Sequence, residues 1–287
     1  MIKIKHIYQG LIFFVLTATS CSEYIDLEPG EFVKNIIIDA TLTNEFKTYE
    51  VVLSQTKTIN DPSFPVIKNA SVFLTFNDTV INYFENDSLP GHYYSEIAFA
   101  GVPGTTYKLT VTNIDVNNDG ISDEYVGTAT MGSLVLIDSA GYYYKSERKA
   151  TVLTCFSYDP PEKNYYFFKA YINDTLVSDT LNKYNFTDDV AFNGNKILNA
   201  PCYYFQDENE MEFIEKGDSL TLELNNIDEA FFTYLNSSFY EYYGYNPMFG
   251  GMPANIESNF SNNALGIFRV YTVSRSSVVV SEDFDRN

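Results

Sequence analysis

Residues 104–111 read Gly-Thr-Thr-Tyr-Lys-Leu-Thr-Val, and this stretch decides how the chain is read. A glycine opens a turn, after which Tyr107, Leu109 and Val111 alternate with Thr106, Lys108 and Thr110. Such alternation puts every second side chain on one face, the pattern of a strand with a buried side and a wet side. The same grammar extends in both directions. Leu89-Pro90-Gly91-His92-Tyr93-Tyr94 marks a turn into a strand, Val72, Leu74 and Phe76 alternate, and Ile36-Ile37-Ile38 and 49–53 are rich in β-branched residues. Short strands punctuated by Asn, Asp, Pro and Gly predict a β-sandwich over 34–131.

Beyond Gly132, the stretches 151–158, 165–172, 219–224 and 266–281 read as further strands. One helix interrupts them. Asn226 with Glu229 three residues on forms a capping signal, and Ile227, Phe231, Tyr234, Leu235, Phe239 and Tyr242 recur at helical spacing, which predicts a helix over 227–242 packed on a sheet. The expected fold is mainly β, a sandwich followed by a second β-rich domain, 132–287, that carries this helix. Ala70-Ser71-Val72, the later Pro-Gly-His-Tyr and Gly-Thr-Thr-Tyr together resemble an immunoglobulin-like or prealbumin-like module of bacterial envelopes. That resemblance implies holding or binding rather than catalysis.

The chain has 287 residues, of which 18 are Lys or Arg and 38 Asp or Glu, a formal charge of -20. A nucleic-acid binder needs a cationic face to displace phosphate counterions, so that class is excluded. With 24 Tyr and 23 Phe, the chain carries far more apolar area than a disordered one.

The N-terminus reads as an address. Lys3 and Lys5 precede the apolar run 11–16, which leads through Ala18, Thr19 and Ser20 to Cys21. The run is too short for a membrane-spanning helix and has the layout of a signal peptide, residues 1–20. Small residues running into a cysteine resemble a bacterial lipobox, with Ala18 where Leu is commonest. This implies that Cys21 is diacylated, becomes the mature N-terminus and anchors the chain in a membrane. Residues 21–33 form an acidic tether, and acidic residues soon after a lipidated cysteine resemble surface-export signals of Bacteroidetes lipoproteins. The expected location is the outer membrane, lipid-anchored, on the cell surface.

Two cysteines remain, Cys155 and Cys202. In an oxidising envelope they form either one disulfide or two buried thiols. With no CxxC and only His92 left among mature histidines, a zinc shell is not expected. Calcium has a better candidate. Asp115, Asn117, Asp119 and Asp123, with the Ile121 carbonyl, surround Gly120 at the spacing of a loop that offers hard oxygen ligands to a structural Ca2+, and the run resembles the calcium loops of dockerin and thrombospondin repeats. Position 12 is Val126 instead of a bidentate Glu, and the same residues also suit a polar hairpin turn.

Catalysis finds little support. His92 alone is available for a Ser-His-Asp arrangement, no Gly-x-Ser-x-Gly elbow occurs, and no glycine-rich phosphate loop follows a strand. The tyrosine clusters at 142–144, 165–166, 203–204 and 240–243 suit either a glycan or nutrient ligand or the alternating positions of a sheet. Asp-Ser/Thr-aliphatic triplets place Thr79, Ser88, Ser139, Thr175, Thr180 and Ser219 in a setting that resembles an O-glycosylation signal of Bacteroidetes envelope proteins, and that equally suits a turn feeding a strand. After the helix, 244–253 is glycine-, aromatic- and methionine-containing. Tyr245, Met248, Phe249 and Met252 are its candidate partner-binding residues.

Tyr234-Leu235, Asn246-Pro247, Pro253, Asn255-Ile256, Asn259 and Gly266-Ile267-Phe268 resemble the C-terminal signature of a Bacteroidetes outer-membrane lipoprotein family of unknown function, often encoded beside TonB-dependent transporters. Thr41-Leu42-Thr43-Asn44, Ala70-Ser71-Val72, Pro90-Gly91-His92-Tyr93 and Gly104-Thr105-Thr106-Tyr107 match the same family, so the resemblance spans nearly the whole mature chain. It implies a non-enzymatic accessory or substrate-capture subunit of a TonB-dependent outer-membrane transporter. A stand-alone adhesin or envelope-binding protein, and an unrecognised hydrolase, are the alternatives.

Overall fold

The computed structural model describes residues 34–58, 61–117, 119–244 and 256–284. The described chain is mainly β, with fifteen strands and one α-helix, and the strands fall into a large mixed sheet and a second sheet of three strands. No helix among the described residues is long and apolar enough to cross a membrane.

The first half contributes β1 (Ile36–Thr43), β2 (Glu50–Gln55), β3 (Ser71–Phe76), β4 (Thr79–Asn86), β5 (Leu89–Ser95), β6 (Thr106–Ile114) and β7 (Asp123–Thr130). They pair in the order β1-β2-β5-β4-β3-β6-β7. The alternation that predicted them holds in three dimensions. Tyr107, Leu109 and Val111 of β6 face one core with Ile36 and Ile38 of β1, Val51 and Leu53 of β2, and Val72 and Leu74 of β3. The sheet therefore folds over on itself with its inner faces opposed. Tyr49 and Phe99 meet edge to face at 5.0 Å inside it.

The second half adds β8 (Ile137–Lys145), β9 (Ala150–Tyr158), β10 (Tyr165–Ile172), β11 (Thr175–Leu176), β12 (Asn185–Asp188), β13 (Lys196–Gln206), β14 (Ser219–Ile227), α1 (Glu229–Tyr243) and β15 (Leu265–Val279). Here there are three layers. The sheet β13-β9-β8 covers one face of β10-β14-β15, where Leu220, Leu222 and Leu224 meet Leu153, Tyr166 and Phe205. Helix α1 covers the other face, with Phe231 and Leu235 against Tyr165, Phe167, Ile227 and Tyr271.

The described residues from Lys34 onwards form one compact unit, the core of β1 to β7 also takes in Phe260, Ala264, Phe268 and Val270, and β15 belongs to both halves. Its first part, from Leu265 to Tyr271, pairs parallel with β1, and its second, from Thr272 to Val279, pairs antiparallel with β14. Gly266 makes the parallel seam possible: its φ is +92°, and a Cβ there would run into the carbonyl oxygen of Ile38. Just before β15, Phe260 packs on Gly127 of β7, and the backbone N–H of Ser261 donates to the Val126 carbonyl at 2.9 Å. The C-terminal segment thus seals the open edge of the first half.

The helix start differs from the sequence reading. Strand β14 runs on to Ile227, and Asp228 is the cap, its carboxylate accepting the Phe231 N–H at 2.9 Å. Asn226 instead spans layers, donating to the Ser133 carbonyl at 3.0 Å and to the Asn164 side chain at 2.9 Å. A cap must leave the strand, and Asn226 is held in it.

Candidate functional site

Strand β14 shows where chemistry has been placed inside the fold. Its sequence alternates Leu220-Thr221-Leu222-Glu223-Leu224-Asn225, which on its own reads as a strand with Thr221, Glu223 and Asn225 in water. All of these residues are buried, because the strand is covered on both faces. A polar row is thereby enclosed under α1, and its groups must find partners.

Glu223 finds several. Its carboxylate is 1% exposed and accepts from the Lys169 ammonium at 3.0 Å, from Arg275 Nε at 2.7 Å and from the Tyr171 hydroxyl at 3.0 Å. Arg275 reaches on to Glu45 at 2.6 Å, and Glu45 holds Lys47 at 2.8 Å. Burial alone would raise the Glu223 carboxyl, but Lys169, Arg275 and Tyr171 outweigh it and hold the group below the ordinary carboxylate range. For Glu45, desolvation is likewise overcome by Lys47 and Arg275, which bring its carboxyl down to about 2. The chain of charges runs from β10 through β14 and β15 to the β1–β2 loop.

Above Lys169 a cavity of about 410 Å3 opens between α1 and the segment 176–184. Phe231, Tyr234 and Ser238 of α1 form one wall, Leu176, Leu181 and Tyr184 the other, and Phe167, Lys169, Tyr271 and Arg269 the floor. Lys169 lies 5.8 Å from the Phe167 ring centre and 5.7 Å from that of Tyr271. Arg269 pairs with Asp39, lies 5.9 Å from the ring centre of Phe231, and keeps a buried Nε–H with no hydrogen-bond partner. The cavity has the size of a small-molecule site and the usual mix of apolar walls with a few polar groups. Two larger grooves differ in chemistry. One, at the start of α1, gathers Asp228, Glu229 and Glu257; the other is lined by Lys183, Glu212, Tyr203 and Tyr204, with Lys183 already tied to Glu212 at 3.0 Å.

The residues singled out from sequence fall in several places. The candidate calcium loop is a hairpin tip between β6 and β7. Asp115 accepts the N–H groups of Asp119 and Gly120 at 3.1 and 2.8 Å, Asn117 accepts that of Asp119 at 3.0 Å, and Asp119 accepts that of Ile121 at 2.8 Å. Asp123 accepts the Val116 N–H at 3.1 Å, so its side chain also closes the loop. No group of three or more His, Cys, Asp or Glu side chains is arranged to hold a metal among the described residues. Cys155 of β9 and Cys202 of β13 come together in one core as buried free thiols. The neighbouring Cys155 and burial push the Cys202 thiol well above its usual range.

Thr79, Ser88, Ser139, Thr175 and Thr180 are exposed, and Ser219 is half-buried. Thr79 and Thr175 follow the tight turns of the β3–β4 and β10–β11 hairpins, and Ser88 lies within that of β4–β5. Tyr165, Tyr166 and Tyr203 are core residues, while Tyr240, Tyr242 and Tyr243 at the end of α1 are exposed. His92 bonds Glu50 at 2.7 Å, and no hydroxyl or thiol is bonded to its ring among the described residues. Cys21 and the partner-loop residues Tyr245, Met248, Phe249 and Met252 lie outside the described residues. Lys169, Glu223, Arg269 and Arg275 are absent from the sequence-based candidates. Their one sequence signal is the acidic Glu223 in an otherwise uncharged strand.

No curated protein matches the chain. A family model does match, over residues 22–277, taking in every strand described above except the last two residues of β15. The chain belongs to the family described as domain of unknown function DUF4249.

Proposed function

We propose that this chain is a non-enzymatic lipoprotein of the bacterial outer membrane, of the Bacteroidetes type, which works on the cell surface as an accessory or substrate-capture subunit of a TonB-dependent transporter. The observation that carries the reading is the far end of α1. Phe239, Tyr240, Tyr242 and Tyr243 are 39%, 71%, 70% and 49% exposed. Four neighbouring aromatics left in water on the last turns of one helix form an apolar patch of the kind that marks contact surfaces. In sequence this patch continues into Tyr245, Met248, Phe249 and Met252. The lipobox-like run into Cys21 and the acidic residues after it support the membrane part of the reading, because an acylated cysteine there would supply an anchor. The cavity beside the same helix supplies a place for cargo.

The test is affinity purification of the C-terminally tagged, natively expressed protein from mildly solubilised outer membrane, with mass spectrometry of what accompanies it. A β-barrel transporter in stoichiometric amount is expected with the natural protein, and its loss with the double variant Tyr240→Ser, Tyr242→Ser. Recovery of the lipoprotein alone, with calcium present, would overturn the subunit reading in favour of a free-standing adhesin or binding protein.

A further inference from the structure

We propose that the cavity between α1 and the segment 176–184 binds small carboxylates that carry a flat apolar body. The proposal deepens the substrate-capture reading and rests on it for its purpose.

The chain is acidic throughout, yet the cavity lining itself holds Lys169 and Arg269 against a single carboxylate, Asp179 at the rim, which lies 3.5 Å from Lys183; Glu223 and Asp39, the partners of Lys169 and Arg269, stand outside the lining. Arg275, six residues further along the same face of β15, lies outside the lining and is committed to Glu223 and Glu45. A small anion is repelled over most of the surface at short range, but screening confines that repulsion to about 8 Å at physiological salt, so a local pair of cations can still capture it.

The cavity floor also holds unused hydrogen-bonding capacity. An ammonium has three N–H donors, and Lys169 has one close carboxylate partner, Glu223 Oε1 at 3.0 Å. The Arg269 Nε–H is buried without a partner. Buried donors left unmade are costly, and an anion entering the cavity would take up the Lys169 donors that Glu223 leaves free, beside the Arg269 side chain in the same lining. Glu223 does not compete for the site. It is saturated by Arg275 and Tyr171 from its far side, so it fixes Lys169 in place without neutralising the whole lining.

Phe231 and Tyr234 face Leu176, Leu181 and Tyr184 across the opening, and a volume of about 410 Å3 suits a single ring with a short chain. A sugar lacks the negative charge that Lys169 would answer, and its polar rim matches poorly the apolar walls formed by Leu176, Leu181 and Phe231.

The test uses the mature lipidated protein in a non-ionic detergent, with empty micelles as blank. Titration calorimetry with 3-phenylpropionate, its neutral amide, acetate and glucose reads the proposal. We expect saturable binding of 3-phenylpropionate, at least tenfold weaker binding of the amide and of acetate, and none of glucose. Arg269→Gln is expected to weaken 3-phenylpropionate at least fivefold. Ser238→Phe and Leu181→Trp fill the cavity from opposite walls, and either one, provided that its circular dichroism matches the natural protein, is expected to abolish binding. Equal affinity for acid and amide, no binding of 3-phenylpropionate up to 20 mM, or undiminished binding in a folded filling variant would overturn the proposal. Failure of the two readings is distinguishable. A chain that binds the carboxylate yet purifies without a transporter refutes only the subunit reading, and a chain that brings the transporter but binds no carboxylate refutes only this one.

Discussion

Replacing Asp228 by Asn should stabilise the protein at neutral pH and do nothing in acid. Asp228 caps α1 through the Phe231 N–H, a role that Asn fills about equally well. Its carboxyl differs from an ordinary cap in one respect. Desolvation at the strand–helix junction outweighs the hydrogen bond from Phe231 and pushes the group from 3.8 up to about 6. That gap corresponds to about 3 kcal/mol of ionisation penalty in the folded state. The sign follows from proton uptake. Above pH 6 the folded and unfolded chains are both ionised at this position and the penalty is complete; between 6 and 3.8 the folded chain holds the proton and stability rises as pH falls; below 3.8 the penalty is gone. Asn removes the charge but also loses its interaction with the helix dipole, about 0.3–1 kcal/mol, and the open groove beside Asp228 screens part of the remainder. The expected gain is therefore about 1–2 kcal/mol at pH 7.5, read from urea midpoints, shrinking to nothing near pH 4. Asp228→Ala loses the cap as well and should fall below the Asn variant by about 1 kcal/mol at every pH. A pH-independent loss of stability in Asp228→Asn would refute the burial argument, since it would mean that the carboxylate is better placed in the fold than in water.

Four further outcomes are expected. Glu223→Gln leaves Lys169 and Arg275 beside a neutral amide and should cost about 3–5 kcal/mol in urea unfolding; because the Glu223 carboxyl is held low, its contribution is complete above the ordinary carboxylate range and is lost as pH falls, so the variant should show a shallower acid limb. Gly266→Ala forces a side chain onto the Ile38 carbonyl at a positive φ and should lower stability by at least about 2 kcal/mol, with the largest gain in amide exchange along β1. Titration with Ca2+ decides between the two readings of 115–123: a raised melting temperature and slower exchange at Gly120 and Ile121, removed by Asp119→Ala, would establish a cation site, and an unchanged melting curve would leave a hairpin closed by its own side chains. Cys155 and Cys202, as buried thiols, should resist alkylation in the folded protein and both react on unfolding without reductant; reaction only after reduction would show that native material carries a bridge.

Much of the first half was legible because β1 to β5 and β7 largely alternate buried and accessible residues. β1, β3, β6 and β10 are found where alternation or β-branched runs put them, and the helix is found within two residues of its expected limits. The strands left unnamed by the sequence reading have physical reasons for hiding. β8 and β13 carry runs of adjacent tyrosines, and their pairing with β9 slips between Ile137 and Ser139, between Ile197 and Ala200, and between Pro201 and Tyr203. Each bulge shifts the phase of the side chains, so no single alternation survives along the strand. Pro201 is tolerated because β13 is an edge strand of its sheet. The cap at Asn226 was misread because a capping signal is local, whereas the partners that keep Asn226 in the strand, Ser133 and Asn164, are distant in sequence.

The candidate site was not legible, and the reason lies in the same strand. Period two identifies β14, but it assigns Glu223 to water, and only the return of β15 and the placement of α1 enclose it. The groups that answer Glu223 stand at positions 169, 171 and 275, on two other strands, and Arg275 reaches on to Glu45 in a further segment, so no window of sequence contains the network. A buried carboxylate shared by two cations is seldom the most stable choice for a core, since apolar residues of similar volume commonly do as well or better. Its effect is positional: it fixes Lys169 on the floor of the cavity and locks β10, β14 and β15 in one register against the β1–β2 loop. An apolar replacement of the whole network, with Lys169, Glu223 and Arg275 changed together to Met, Leu and Met, should therefore retain the fold by circular dichroism while losing 3-phenylpropionate binding. If that triple variant still bound the carboxylate as the natural protein does, the network would be a matter of packing alone and the cavity floor would owe nothing to it.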